Sequence, residues 1–322
     1  MGKMPVNATS SLSTPSITVE VPATTANCGP GFDSLGIALS LSNRLELRPA
    51  STDSLEVEGE GALELFDQTT SLAHRAARAT WDELRLEEGG FEISMHNAVP
   101  FARGLGSSST AIVAGAFAAN EWARAHQGTA LSPAQLLDLV TRLEGHPDNV
   151  APALLGGFCV CATREDGHVF ALSTSVKTAP RFVVWIPDGE LATEKARAAL
   201  PSVYLRADCV FNLSRAALVV AALVAGDFDA LTEGLRDRVH QDYRASLVPG
   251  WMILGDIARQ LGALETTLSG AGPTLLFWLS PECDAADFAR QFETEAQSSR
   301  LAGRALEVRI AEGARVVENQ QD

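Results

Sequence analysis

The sequence predicts an α+β protein of two domains, and three observations carry that prediction. Strand-like alternation and helix-period apolar patterns are interleaved along the 322 residues,. Many of the strand patterns are hairpin-like neighbours, which is the mixture expected of α+β architecture. A polar stretch, residues 163–180, punctuated by Asp166-Gly167, interrupts the apolar pattern near the middle,. It sets the expected domains at residues 16–170 and 171–322.

Residues 1–15 are rich in Ser, Thr and Pro and lack the apolar run of a signal peptide, so they read as a disordered lead-in,. Alternation then predicts strands at 17–21, 38–47 and 55–58, followed by a helix at 71–84,. Phe91, Ile93, Met95 and Val99 alternate as a strand that runs into a glycine-rich turn and a helix from 110 to about 125. Ser132-Pro133 is a helix start, serine at the cap and proline in the first turn, with Leu136, Leu137, Val140 and Leu143 on one face,. A short helix follows Asp148 and ends at Gly156-Gly157, before a strand at 158–162. The second domain opens with a buried strand at 181–186 and a helix at 193–200. A long apolar helix at 208–225 and helices near 228–235 and 249–261 come next. Strands at 264–268 and 274–279 flank a turn, and a helix at 284–299 and a strand at 305–310 close the pattern. The most apolar part of the long helix, 216–225, is too short to span a bilayer,.

The net charge of −15 argues against a nucleic-acid backbone or an anionic membrane as partner,. Five cysteines form no C-x-x-C pair and cannot all pair internally, so they read as inert thiols of a reducing, cytoplasmic compartment,. No triad, zinc or flavin pattern is present in the sequence.

The chemistry gathers in separated blocks. Pro100-Phe101-Ala102-Arg103-Gly104-Leu105-Gly106-Ser107-Ser108-Ser109-Thr110 joins a strand to a helix. Such a turn exposes unpaired N–H groups at the positive end of the helix dipole, where a polyphosphate binds. It is not a Walker A motif, because the only lysines are Lys3, Lys177 and Lys195, and it is not G-x-G-x-x-G,. Earlier stands Val21-Pro-Ala-Thr-Thr-Ala-Asn27-Cys-Gly29-Pro30-Gly31-Phe-Asp33; later come Glu144-Gly-His146-Pro-Asp148-Asn149 and Leu268-Ser-Gly270-Ala-Gly272-Pro-Thr274. Read singly, each has an ordinary alternative. Glu144 could be a solvated surface carboxylate, Asp148 a helix N-cap, and Asn27 and Asp33 the Asx residues of a turn.

In this order and spacing the blocks resemble the GHMP small-molecule kinases, and the wording of the first and third is similar to the homoserine kinases among them. The resemblance implies an N-terminal domain like ribosomal protein S5 domain 2, a ferredoxin-like C-terminal domain, and a homodimer. It implies ATP and Mg²⁺ at residues 100–110, with Ser108 and Glu144 on the metal. L-homoserine would meet Asn27 at its hydroxyl, Asp33 at its ammonium, His146 and Asn149 in the pocket, and Arg197 and Arg244 at its carboxylate. Either arginine taken alone could be a surface residue. Asn27, Asp148 and Asn149 are the candidate catalytic residues. In mevalonate kinase and its kin an aspartate in this region is the base, whereas homoserine kinases leave the proton to the γ-phosphate or solvent. The implied reaction makes O-phospho-L-homoserine on the route to threonine. The rivals are a GHMP kinase for another small alcohol and an ATP-binding relative without transfer activity.

Overall fold

Residues 15–62, 71–87 and 89–317 are described in the computed structural model of the chain. Strands β1 (Ile17–Ala26) and β2 (Leu35–Ala50) form a long antiparallel pair that bulges at Pro22/Ala23. β3 (Ser54–Gly59) pairs in parallel with β4 (Gly90–Asn97), with α1 (Leu72–Leu84) between them in the chain. Inward Phe91, Ile93 and Met95 alternate with exposed neighbours along β4, the period a half-buried strand requires,. Helices α2 (Ser107–Gln127), α3 (Pro133–Glu144) and α4 (Pro147–Leu155) follow, then the hairpin β5 (Phe158–Thr163) and β6 (Val169–Thr174). Ser132 and Gln135 close a reciprocal capping box at the start of α3,. Helices α1–α4 bury their apolar faces, among them Val113, Leu137, Val140 and Val150, against Val19, Leu45 and Ile93 of the sheet.

The second half contains β7 (Arg181–Pro187), α5 (Thr193–Ala198), α6 (Arg206–Ala225), α7 (Phe228–Gly234), α8 (Gln241–Arg244) and α9 (Trp251–Gln260). It continues with β8 (Glu265–Leu268), β9 (Leu275–Leu279), α10 (Ala285–Ser298) and β10 (Gly303–Val308), and β11 (Arg315–Val317) ends the described chain. The sheet order β10-β7-β9-β8, antiparallel throughout, is the expected ferredoxin-like arrangement,. Between the two sheets lies a shared core in which Ile37, Leu39, Val99 and Phe158 meet Phe182, Ile186 and Trp278.

Several expectations are corrected. Residues 1–14 of the expected lead-in lie outside the described residues; Pro15 lies inside, and its carbonyl accepts a 2.7 Å hydrogen bond from Trp122 Nε1. β6 occupies part of the polar stretch read as a boundary, so the division at 170/171 falls inside a strand. Its inward Val169 and Ala171 pack on the first core. The passage to the second sheet lies at residues 175–180 instead. β11 then returns to the first sheet, pairing Thr18 with Val317. α2 starts at Ser107, three residues before the expected 110, because Gly106 at φ 71° supplies the turn that ends the loop. His146, not Asp148, is the N-cap of α4. α6 has 20 residues, with a mean hydropathy of 1.7 over its most apolar 18, so by length and composition it is long enough to cross a membrane; only 22% of that 18-residue stretch is buried. It carries Asn212, which donates to Pro30 O, and Arg215, which pairs with Glu233 at 2.6 Å. Among the described residues the cysteines are free, and burial pushes the Cys159 thiol up to about 12.

Candidate active site

The glycine turn before α2 opens into a cleft of about 320 Å³ between the two sheets. α2 has no side-chain cap and no acidic residue in its first turn, so the N–H groups of Ser107, Ser108 and Ser109 are without an acceptor among the described residues,. Such a helix start favours a bound anion. Gly104, at φ 79°, has Ser269 O and Gly272 O where a Cβ would stand, so the turn of residues 269–274 presses directly on the phosphate loop. Ser269 Oγ donates to Gly104 O at 2.7 Å, and Thr274 N donates to Arg103 O at 3.2 Å.

Of the expected nucleotide loop, Phe101, Ala102, Gly104, Gly106, Ser107, Ser108 and Ser109 line the cleft. Pro100, Leu105 and Thr110 do not: Leu105 packs into the shared core, and Thr110 Oγ1 turns back to Ser107 O at 2.8 Å. Arg103 borders the cleft, but its guanidinium donates to Phe101 O, Pro187 O and Asp188 O and pairs with Glu190 at 3.2 Å. Its charge is therefore engaged in tying the loop to the end of β7.

Glu144, at the end of α3, lies opposite the α2 N-terminus. Ser108 Oγ and Ser109 Oγ each donate to Glu144 Oε1 at 2.7 Å. Ser108 and Glu144 are thus brought together as the sequence predicts, and Ser109 joins them. His146 Nδ1 lies 2.8 Å from Asp148 Oδ1. Burial lowers the His146 pKa, but the hydrogen bond to Asp148 and the charges of Asp148 and Glu144 outweigh it, so the net shift is upward,. Asn149 Nδ2 also reaches Asp148 Oδ1, at 3.4 Å, while Asn149 Oδ1 accepts from Thr24 Oγ1 at 2.8 Å. Thr24 also occupies the space that a Cβ on Gly106 would take.

Asn27, at φ 71°, donates from Nδ2 to Gly270 O at 2.7 Å and accepts from Asp33 N at 3.0 Å. It holds its own turn and links it to the second domain. Asp33 forms a two-bond pair with Arg197, at 2.7 and 3.1 Å. That hydrogen bond, above all, raises the Arg197 pKa. Arg244 is 1% exposed and forms no ion pair among the described residues. Its Nε donates to Ala196 O at 3.1 Å, and Nη1 reaches Gly270 O and His240 Nδ1, each at 3.3 Å. Burial lowers its pKa, with the nearby Arg197 charge adding to the effect. Phe32 lies 5.6 Å from the Arg197 guanidinium and 5.4 Å from that of Arg244,.

The structure therefore gathers Asn27, Asp33, Glu144, His146, Asp148, Asn149, Arg197 and Arg244 around one cleft. Sequence reasoning missed Thr24, Phe32 and His240, and also the cleft wall of Leu191, Ala192 and Thr193. Thr24 and Phe32 sit inside the first block, but nothing in their spacing marked them.

The family model of the GHMP kinases N terminal domain matches residues 71–157, and that of the GHMP kinases C terminal region matches residues 219–297. A homoserine kinase of Synechococcus sp. is 44% identical over 311 residues, 95% of this chain and 99% of its own. The chain belongs to the homoserine kinase family. A homoserine kinase of Desulfitobacterium hafniense is 42% identical over 266 residues, 82% of this chain and 87% of that one. At the level of fold, a crystal structure of homoserine kinase from Cytophaga hutchinsonii matches with a TM-score of 0.83 at 24% identity, covering 98% of this chain and 100% of that one. The fold extends to mevalonate kinase of L. major, with a TM-score of 0.70 at 15% identity, 93% of this chain and 97% of that one. In this member of the homoserine kinases both domains line the cleft: Asn27, Asp33 and the phosphate loop from the first, Arg197, Arg244 and Gly270 from the second.

Proposed function

We propose that the protein transfers the γ-phosphoryl group of ATP to the hydroxyl of L-homoserine, giving O-phospho-L-homoserine and ADP on the way to threonine. One observation carries this reading. Arg244 is a buried guanidinium that borders the cleft and forms no direct ion pair with a carboxylate among the described residues, the charges of Asp33 and Asp237 reaching it only at longer range. Burying an unpaired charge is costly, and a substrate carboxylate removes the cost. Nη2 is the edge of that guanidinium without a hydrogen bond among the described residues, and it is the donor offered to the carboxylate.

Arg197 adds a second cation to the carboxylate, and Asp33 beside it receives the ammonium. The phosphates take the open N–H groups at the start of α2,. The oxygens of Ser108 and Glu144, 2.7 Å apart, suit a magnesium ion that keeps several waters and binds phosphate as well,. When bound, the ion neutralises charge that builds on the transferred group. The homoserine oxygen forms the new P–O bond, the bond to the β-phosphate oxygen breaks, and the hydroxyl proton leaves to the phosphate or to solvent. Asp148 holds His146 through Oδ1, which fixes the ring beside the cleft and favours its charged form, and assigns Asp148 to charge and orientation.

ADP release measured with homoserine, mevalonate and 3-aminopropan-1-ol as acceptors tests the reading. Turnover of homoserine alone is the expected result. Equal turnover of 3-aminopropan-1-ol, which is homoserine without its carboxylate, would refute the carboxylate clamp.

A further inference from the structure

His240 is buried at 0% exposure and belongs to none of the sequence blocks that carry the reaction. Its Nε2 lies 2.7 Å from the carbonyl oxygen of Gly29. A carbonyl only accepts, so Nε2 carries the hydrogen, and in a neutral ring Nδ1 is then left as an acceptor. That acceptor faces Nη1 of Arg244, one helical turn away at 3.3 Å. Burial lowers the pKa of His240, which favours the neutral ring whose Nδ1 lone pair accepts,.

The ring itself is held firmly. The buried carboxylate of Asp237 accepts from the backbone N–H groups of Val239, His240 and Gln241 and from Asn212 Nδ2, at 2.7–3.0 Å. Asn212 also donates to Pro30 O at 3.2 Å. Phe32 packs on the imidazole with ring centroids 5.4 Å apart. His240 therefore connects two places that are 215 residues apart in sequence: the turn of residues 29–33 that ends in Asp33, and the guanidinium of Arg244.

We infer that His240 is a positioning residue for substrate recognition, fixing the spacing between the anionic Asp33 turn and the cationic Arg244 to suit the ammonium and carboxylate of one α-amino acid. Its hydrogen bond directs Nη1 away from the ligand, so Nη2 is the edge that meets the carboxylate. The inference rests on the reading of Arg244 given above.

Steady-state kinetics of the wild type, His240→Phe and His240→Gln with homoserine and with 3-aminopropan-1-ol test it. The ratio of kcat/KM between the two acceptors should fall about tenfold or more in His240→Phe, as for a lost hydrogen bond to a charged group. The KM for ATP should stay within about twofold. His240→Gln should recover most of the ratio, because its amide can donate to Gly29 O and accept from Arg244. A folded His240→Phe that keeps the wild-type ratio overturns the inference while leaving the function intact. A wild type that uses both acceptors alike overturns the reading of Arg244 instead. Nitrogen NMR of histidine-labelled wild type gives a check that no variant can spoil: the neutral Nε2–H tautomer of His240 is expected, and the Nδ1–H tautomer overturns the role.

Discussion

Replacing Glu144 by Gln separates charge from hydrogen bonding at the phosphate end of the cleft. Oε1 of Glu144 accepts from both Ser108 and Ser109 at 2.7 Å, and an amide oxygen can accept both of those bonds,. The unliganded site should therefore keep its shape, and unfolding free energy should change by no more than about 0.5 kcal/mol, as for a surface substitution that leaves its bonds intact. Turnover should not survive so well. A unit charge about 4 Å from another, in an effective dielectric of about 20, is worth about 4 kcal/mol. Bound water and the remaining amide oxygen offset part of that. A net loss of about 3 kcal/mol corresponds to a rate lower by a factor of about 150. The assay is ADP release against magnesium concentration, with melting curves as the control for folding. The half-saturating magnesium concentration should rise together with the fall in kcat. Because Glu144 is also one of the charges that raise the His146 pKa, the His146 titration followed by proton NMR should move down in the variant. An enzyme with unchanged magnesium dependence would show that Glu144 is a solvated partner of two serines and nothing more.

Three other outcomes are expected. Gly104→Ala forces a Cβ at φ 79° against Ser269 O and Gly272 O, so it should cost more than about 2 kcal/mol and lower Tm by several degrees in thermal melts; an unchanged Tm would refute the tight contact between these loops,. Arg197→Ala should reduce kcat/KM for homoserine about tenfold or more with little change in the KM for ATP, and the double variant with Arg244→Ala should lose less than the product of the singles; a loss shared equally by both substrates would refute the clamp,. His146 has a folded pKa above its ordinary 6.5, so its contact with Asp148 stabilises fully below about pH 6.5 and fades as pH rises through the raised value,. Denaturant unfolding of wild type and His146→Gln from pH 5 to 9 should show a difference that is largest at the acid end, and a flat difference would refute it.

The sequence was most legible where a side-chain pattern and a local backbone rule coincide. The alternation of Phe91, Ile93 and Met95, the Ser132-Pro133 helix start, and the glycine turn before α2 are all local, and all are found in the structure. β6 was missed because its exposed positions Phe170 and Leu172 are as apolar as its half-buried Val169 and Ala171, so no apolar–polar alternation marks it, although Asp166-Gly167 between Cys161 and Ala171 is the kind of dipeptide that closes a hairpin,. The start of α2 was set too late because three serines are weak helix formers, and only the unpaired N–H groups of the turn explain them there,. In the site, the blocks assembled as expected, but what holds them was not readable. Asn27 lines the cleft, but its hydrogen bond from Nδ2 to Gly270 O, 243 positions away, was not readable. His240 meets Gly29 across 211 positions and lies outside any periodic pattern. Contacts of that separation depend on how the two sheets stack, and no local spacing encodes the stacking.

The return of the chain to its first sheet limits how the cleft can work. Two separate passages join the halves, residues 175–180 and residues 309–314. The second is stitched down by Ser40 N to Arg309 O, Ala311 N to Ala38 O and Ala314 N to Ala153 O, at 2.9–3.0 Å. With Ile37 and Phe158 packed on Phe182 and Trp278, a swing between halves would tear a continuous apolar layer. The molecule thus behaves as a clasp with two rivets, not as a jaw on one hinge. Traffic in and out falls to the rim, where Asp188, Gly189 and Glu190 are exposed and lead into Leu191–Thr193 on the cleft wall. Amide hydrogen exchange should slow at residues 188–195 when homoserine and a non-hydrolysable nucleotide are added, with β7 and β9 unchanged. Faster or slower exchange spread across both sheets would mean that the rivets give way.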